Sequence, residues 1–430
     1  DRKAMLDRMG QAASDYRQQI YQNGFWGNKR TASMAGLKMF TQVCLGFIEH
    51  SIRANQRADK LYHAYNLLTV KETGVSLSHL PEMLEGQTAV LSSGYLNAGQ
   101  ALEVLDALKG SALFREDQYS YILYPDKKLP GFLQKNNIPA NRAQESELFD
   151  RLIADGNTEI VERDVLGGLH FNGNFKNAAD LNDALNKQSE GIYHELVERD
   201  RTLVLDIFEE VFNHKAFTGR SGTFYSYEGL GSIYWHMVSK LHLAVQECCL
   251  RANETGADKK VIGRLLDHYY EIEAGIGVHK SPGLYGAFPT DPYSHTPKHR
   301  GAQQPGMTGQ VKEDILVRFG ELGVLVDDGR LHFNPCLLRK EEFHRQDGIF
   351  KYRKAGGGIG ELKLTSGQLA FTYCQTPVVY SLSDTGQITV FYSNGEKAEI
   401  AGKTLNREIS SLIFRRTGEI EKVEVSINNK

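Results

Sequence analysis

Cysteine is scarce in this chain: Cys44, Cys248, Cys249, Cys336 and Cys374 are the only five among 430 residues. An odd number without a pair of CxxC elements excludes a disulfide scaffold and a cysteine-built zinc module. The adjacent Cys248 and Cys249 close the apolar run KLHLAVQECCL, where small buried hydrophobes are the simpler account and a reactive thiol the alternative. No apolar run reaches about 18 residues, so no membrane span is expected. An excess of either charge is missing too. With 50 basic and 53 acidic side chains and a net charge of -3, nothing draws the chain to a nucleic-acid backbone or an anionic membrane. The histidines are scattered, and His295 and His299 sit in a proline-interrupted loop rather than on a helix face, so no metal site and no cofactor are expected. Low-complexity tracts and internal repeats are absent. The sequence opens at Asp1 with neither a Met nor a signal peptide, which reads as a processed or truncated piece of something longer. The expected location is the cytoplasm, with the periplasm as alternative.

What is present is an ordinary globular composition with 41% apolar residues, enough for a large core and two domains. Segments such as RKAMLDRMGQAASDYRQQIYQ, LKMFTQVCLGFIEHSIRANQRADKLYHAYNLL, AGQALEVLDALKG, HELVERDRTLVLDIFEEVFNH and KKVIGRLLDHYYEIEAGI repeat apolar residues at three- and four-residue spacing, the period of amphipathic helices. After about residue 325 the period becomes two. GRLHFNP, GELKLT, QLAFTYCQTPVVYSLS, QITVFYSN, KAEIAG and EKVEVSIN are separated by DDG, SDTG, SNGE and RTGE turns. Residues 1–325 are therefore expected to form a mainly helical domain, and 326–430 a small all-β sandwich.

Long connections rich in Gly, Asn, Pro and aromatics interrupt the helices, and segments of this kind are commonly functional. Their rings beside Asn, His, Arg and acids suit sugar faces and hydroxyls. In DPYSHTPKHRGAQQPGMTGQVKED, residues 291 to 314, a Gly-flanked Thr308 ahead of a helix would offer backbone N–H groups and a hydroxyl at the positive end of the helix dipole. A simple helix start after a proline-rich loop explains the same pattern. GTFYSYEGLGSIYWHMVSK sets Glu228, Trp235 and His236 around a Gly-rich turn, and Arg220 with Ser221 add charge and a hydroxyl to that rim. Structural roles for each stand beside these. NAADLNDALN puts Asp180 and Asp183 on one helical face, either as first-turn acids serving the dipole or as a general acid.

Taken in order, ADLNDALN, GSIYWHMVSK, DPYSHTP with GMTGQVKED, and the β tail resemble the later half of inverting glycoside phosphorylases of the cellobiose and chitobiose type, over residues 175 to 400 at most. The resemblance implies an α/α toroid of the six-hairpin glycosidase class with a C-terminal β-sandwich. It implies Asp183 as general acid, His236 as a phosphate ligand, and Thr308 with Gly309 as the phosphate cradle. Leu181 stands where the family has Trp, and Gln310 where it has Thr. The family's phosphate-binding arginines have no clear counterpart, with Arg220 and Arg115 as substitutes.

Two mechanisms follow for an oligosaccharide or glycoside substrate. In phosphorolysis inorganic phosphate is the co-substrate and attacks with inversion. In hydrolysis a second carboxylate, Glu228 or Asp291, activates water from roughly 6.5 to 9.5 Å away. Trp26, Tyr227 and Trp235 offer flat apolar faces for sugar rings. A non-catalytic glycan-binding module, or a fragment that needs another segment or chain to complete its site, is the reading from a different class. A uronate lyase using Tyr234 and His236 is weaker, because residues two apart on a helix diverge.

Overall fold

The computed structural model describes residues 2–25, 27, 29, 31–72, 74–126, 130–213, 233–276, 279–281, 295–296, 311–383 and 386–428. The chain divides into two compact units, Asp1–Pro125 with Ser232–Lys430, and Asp126–Gly231. The mainly helical body and the strand-rich C-terminal region expected from the sequence are both present. The residue-325 boundary drawn from the sequence lies inside the first unit.

The first unit opens with helices α1 (Arg2–Asn23) and α2 (Met34–Ala54), the hairpin β1 (Asn66–Lys71) and β2 (Gly74–His79), helices α3 (Leu84–Ser92) and α4 (Ala98–Lys109), and the short hairpin β3 (Phe114–Arg115) and β4 (Ser120–Tyr121). Neither α1 nor α2 buries a residue. The sequence period suggests that the second helix runs on to YNLL; it ends instead at Ala54, and Leu67 and Leu68 lie in β1. Pairing of Val70 with Val75 across the turn favours the hairpin over helix there.

The second unit holds α5 (Phe132–Lys135), α6 (Ala140–Ala143), α7 (Glu147–Ala154), β5 (Val161–Arg163), β6 (Leu169–Phe171), α8 (Ala178–Ser189) and α9 (His194–Phe212). Helix α9 buries Val197, Asp200, Val204, Ile207 and Phe208, a single stripe at helical spacing. Phe171 meets Phe149 and Phe208 edge-on at 6.0 and 5.0 Å between ring centres, contacts worth about 0.5–1.5 kcal/mol each beyond area burial. One acid sits inside this core. Asp200 accepts from the Ser146 hydroxyl at 3.0 Å, the Leu148 N–H at 2.9 Å and Arg199 Nε at 2.9 Å. Burial alone would raise its pKa, but these three donors together hold the carboxyl below the usual carboxylate range.

The first unit resumes with β7 (Ile233–Tyr234), α10 (Trp235–Glu254), α11 (Lys259–Gly275), β8 (His295–Thr296) and α12 (Val311–Glu321). Helix α10 is buried almost all round, from Trp235 to Ala252, because α3, α4, α11 and α12 pack about it. Beyond it come the hairpins β9 (Val324–Asp327) with β10 (Arg330–Phe333) and β11 (Gly348–Arg353) with β12 (Ile359–Leu364), then β13 (Gln368–Tyr373), β14 (Thr376–Ser383), β15 (Gln387–Tyr392), β16 (Lys397–Ala401), helix α13 (Arg407–Phe414) and β17 (Ile420–Asn428). One sheet has the order β13-β14-β17-β15-β16, antiparallel except for β14 beside β17. Val378, Tyr380, Ile388, Val390, Val423 and Val425 share a cluster with Leu331 and Phe333 of β10 and Ile409 and Ile413 of α13. Among the described residues, a hairpin and a helix thus pack with this sheet where the sequence suggests a sandwich. No helix of the described residues is long and apolar enough to cross a membrane.

Candidate functional site

The junction of β7 and α10 carries the chemistry-bearing side chains. Tyr234 is extended, with φ -96° and ψ 93°, and the helix begins at Trp235. Ile233 and Trp235 turn into the core, 0% and 1% exposed, while Tyr234 and His236 are only partly buried. The Tyr234 hydroxyl lies 3.4 Å from His236 Nδ1, and the two rings meet edge-on at 5.8 Å. Two residues on a helix would diverge, but Tyr234 ends β7 with extended backbone and only His236 is helical, so the pair converges.

The other nitrogen of His236 faces α12. Its Nε2 is 3.3 Å from Glu313 Oε1, and Lys312 Nζ lies 3.6 Å from the same oxygen. Glu313 is 4% exposed. Its second oxygen is buried without a hydrogen-bond partner among the described residues, which is costly unless something else reaches it. Glu313 occupies the first turn of α12, where the helix dipole favours a carboxylate.

A second set of polar groups borders Trp235. Lys280 Nζ sits 4.8 Å from the centre of the Trp235 ring and donates to Gln118 Oε1 at 3.1 Å. Burial, and then the Arg115 charge, push this ammonium down to about 8, with Asp117 opposing. Arg115 is itself buried and binds Asp117 through two bonds of 2.8 and 3.0 Å. Gly275, at the end of α11, allows this approach: a Cβ there would stand 2.1 Å from the Tyr119 carbonyl oxygen.

Behind the site, α10, α11 and α12 are tied by polar side chains. Gln246 donates to the Val317 carbonyl at 2.8 Å and to the Tyr269 hydroxyl at 3.3 Å, and Tyr269 donates to Glu321 at 2.6 Å. A Cβ at Gly320 would stand 2.0 Å from Gln246 Oε1, so a larger residue there would displace the Gln246 amide. His242 stacks on Tyr269 at 4.4 Å; burial, and then His279, push it down to about 4, which keeps it neutral.

Of the residues singled out by sequence, Arg115, Asp180, Asp183, Tyr234, Trp235 and His236 are described. Trp26, Arg220, Tyr227, Glu228, Asp291, Thr308 and Gly309 lie outside the described residues. Asp183 is an exposed residue of α8 in the second unit. Leu181 and Leu185 supply the buried stripe of that helix, Asn177 caps it, and Asp180 accepts from the Lys176 N–H at 2.7 Å. Trp235 is buried with an ammonium over its face, so its ring is not an open platform for a sugar.

Residues 129–215 match the model of the GH149 phosphorylase insertion domain 2. That span lies within the second unit, so α8 and Asp183 are residues of the matched insertion domain. The match supports a relationship with GH149-type glycoside phosphorylases. No curated protein matches the sequence. Sequence reasoning missed Glu313, Lys280 and Gln118. The pair of acids opening α12 is a visible signal for Glu313, whereas nothing in VHKSP sets Lys280 apart from a surface lysine.

Proposed function

We propose that the protein is an inverting glycoside phosphorylase in which inorganic phosphate attacks the anomeric carbon of an oligosaccharide, the glycosidic C–O bond breaks, and a sugar 1-phosphate forms as the shortened saccharide departs with a proton on its oxygen. The observation that carries this is the insertion-domain match over residues 129–215. In the first unit His236 is partly buried, and its two nitrogens face Tyr234 and Glu313, so phosphate would bind by replacing one of these two contacts. In this reading His236 binds phosphate, and Thr308 and Gly309, which precede α12 in sequence, present N–H groups and a hydroxyl to it. The body is a six-hairpin α/α toroid with a C-terminal β domain.

Phosphate brings its own nucleophilic oxygen, so one carboxylic acid, Glu228 or Asp291 in this reading, suffices to protonate the leaving oxygen; a second carboxylate acting as base would be needed only for hydrolysis. We read Asp183 as a surface residue of the insertion domain. Its exposure and the capping role of its neighbours support that, since a general acid works in a site closed to water. Trp26, Tyr227 and Arg220 remain the proposed sugar contacts, while Trp235 supports Lys280. Apolar side chains left exposed on α2, among them Met39, Phe40, Phe47 and Ile48, support coverage of that face by another segment or chain.

The test is release of inorganic phosphate from α-D-glucose 1-phosphate and its N-acetyl analogue with a panel of sugar acceptors. Acceptor-dependent release is expected. No release with any acceptor sinks the reading.

A further inference from the structure

Lys280, Gln118 and Arg115 are 7%, 7% and 6% exposed, and they converge beside the tryptophan that precedes His236. An ammonium has three protons to give. Here one goes to a neutral amide oxygen, and the Trp235 ring lies beneath the charge. Among the described residues no carboxylate lies within salt-bridge distance of Nζ. Asp117, an acid that acts on it through space, is bound by Nε and Nη2 of Arg115. Burying a cation without a matching anion is costly. A purely structural role would be served better by Met or Leu of similar volume. The uncompensated charge is the mark of a site completed by a ligand.

We propose that Lys280, presented by Gln118 and Trp235 with Arg115 alongside, is an anion ligand of this site and takes a phosphate group, free or esterified as a sugar 1-phosphate. This rests on the phosphorylase reading and adds a cation that the sequence motifs do not supply. Gln118 and Trp235 act as positioning residues, fixing where the ammonium points.

The experiment is calorimetric titration of the protein with inorganic phosphate and, separately, with α-D-glucose 1-phosphate, for wild type, Lys280→Met and Lys280→Arg. Melting temperatures are measured in parallel. Lys280→Met is expected to weaken binding by about tenfold or more while melting no lower than wild type, because an unpaired buried charge has been removed. Lys280→Arg should restore part of the affinity. Weakening for both ligands assigns the phosphate group as the shared element; weakening for the ester alone moves the contact to the sugar side and overturns the proposal. Unchanged phosphate binding in Lys280→Met also overturns it, as does a Lys280→Met protein that melts lower and loses binding while Lys280→Arg recovers stability without affinity. Wild type that binds phosphate through Lys280 but shows no acceptor-dependent turnover sinks the phosphorylase reading alone.

Discussion

His236 and Glu313 stand 77 residues apart in sequence and 3.3 Å apart in space, imidazole Nε2 to carboxylate Oε1. One residue opens α10 and the other lies in the first turn of α12, so a single contact joins two helix starts. With Tyr234 on the opposite nitrogen, the ring has little freedom to rotate.

Glu313→Gln should therefore raise the KM for phosphate and lower turnover by about tenfold to a hundredfold, the scale of a misplaced contact group. The protein should melt no lower than wild type, because a buried charge with an unpartnered oxygen has been neutralised. Steady-state kinetics beside a melting curve check both halves. Wild-type kinetics in this variant would reduce the pair to packing.

Lys280 gives the fold a signature at alkaline pH. Its value in the folded protein, about 8, lies below the ordinary 10.5, so across that window the unfolded chain binds more protons. The stability contributed by this group rises with pH there. Among the described residues, Arg115 and Asp117 are the charges that act on it, and His279 is its titratable neighbour in the chain. Denaturant unfolding across this range should show a rise that Lys280→Met lacks, and phosphate affinity should fall as pH passes about 8 and the ammonium is lost. Parallel pH profiles for the two proteins would contradict this.

Asp183→Asn is expected to keep activity within about twofold of wild type, as substitutions on an exposed helix face usually do. Phosphate release from sugar 1-phosphate measures it. Loss of turnover with an intact fold would return Asp183 to the role of general acid.

Asp200 anchors the core of the second unit. Replacing it by Ala strands the Ser146 hydroxyl and the Leu148 N–H inside the core and should cost about 2–4 kcal/mol. Because its folded pKa is depressed, the stabilisation is full above the ordinary value of 3.8 and is lost as pH falls through the lower folded value. Thermal unfolding of wild type and variant between neutral and acid pH tests this; equal melting at neutral pH would contradict it.

Much of the architecture is legible from periodicity. The stripe on α9 and the alternation along β15 and β17 are read directly from residue spacing. Local geometry without a local sequence signal is not. QLAFTYCQTPVVYSLS reads as one run, yet it folds back at Cys374 and Gln375, both with positive φ of 48° and 65°, where no Gly or Asn marks the turn. Helix α13 hides in the β tail for a related reason: eight residues carry too few turns for the period to stand out. At the site, Tyr234 with His236 is misjudged from sequence because convergence depends on a strand-to-helix switch between them. Lys280 with Gln118 is 162 residues apart, a pairing made by tertiary packing alone. The Asp180 and Asp183 spacing matches a catalytic motif and a capped surface helix equally well, because both need acids near a helix start.

The most direct test of the central claim is to incubate the protein with β-linked oligosaccharides in phosphate buffer and in phosphate-free buffer, and to identify the product by NMR. Phosphorolysis with inversion predicts α-sugar 1-phosphate, formed only when phosphate is present. Free sugar released at the same rate in both buffers would contradict it and identify water as the nucleophile.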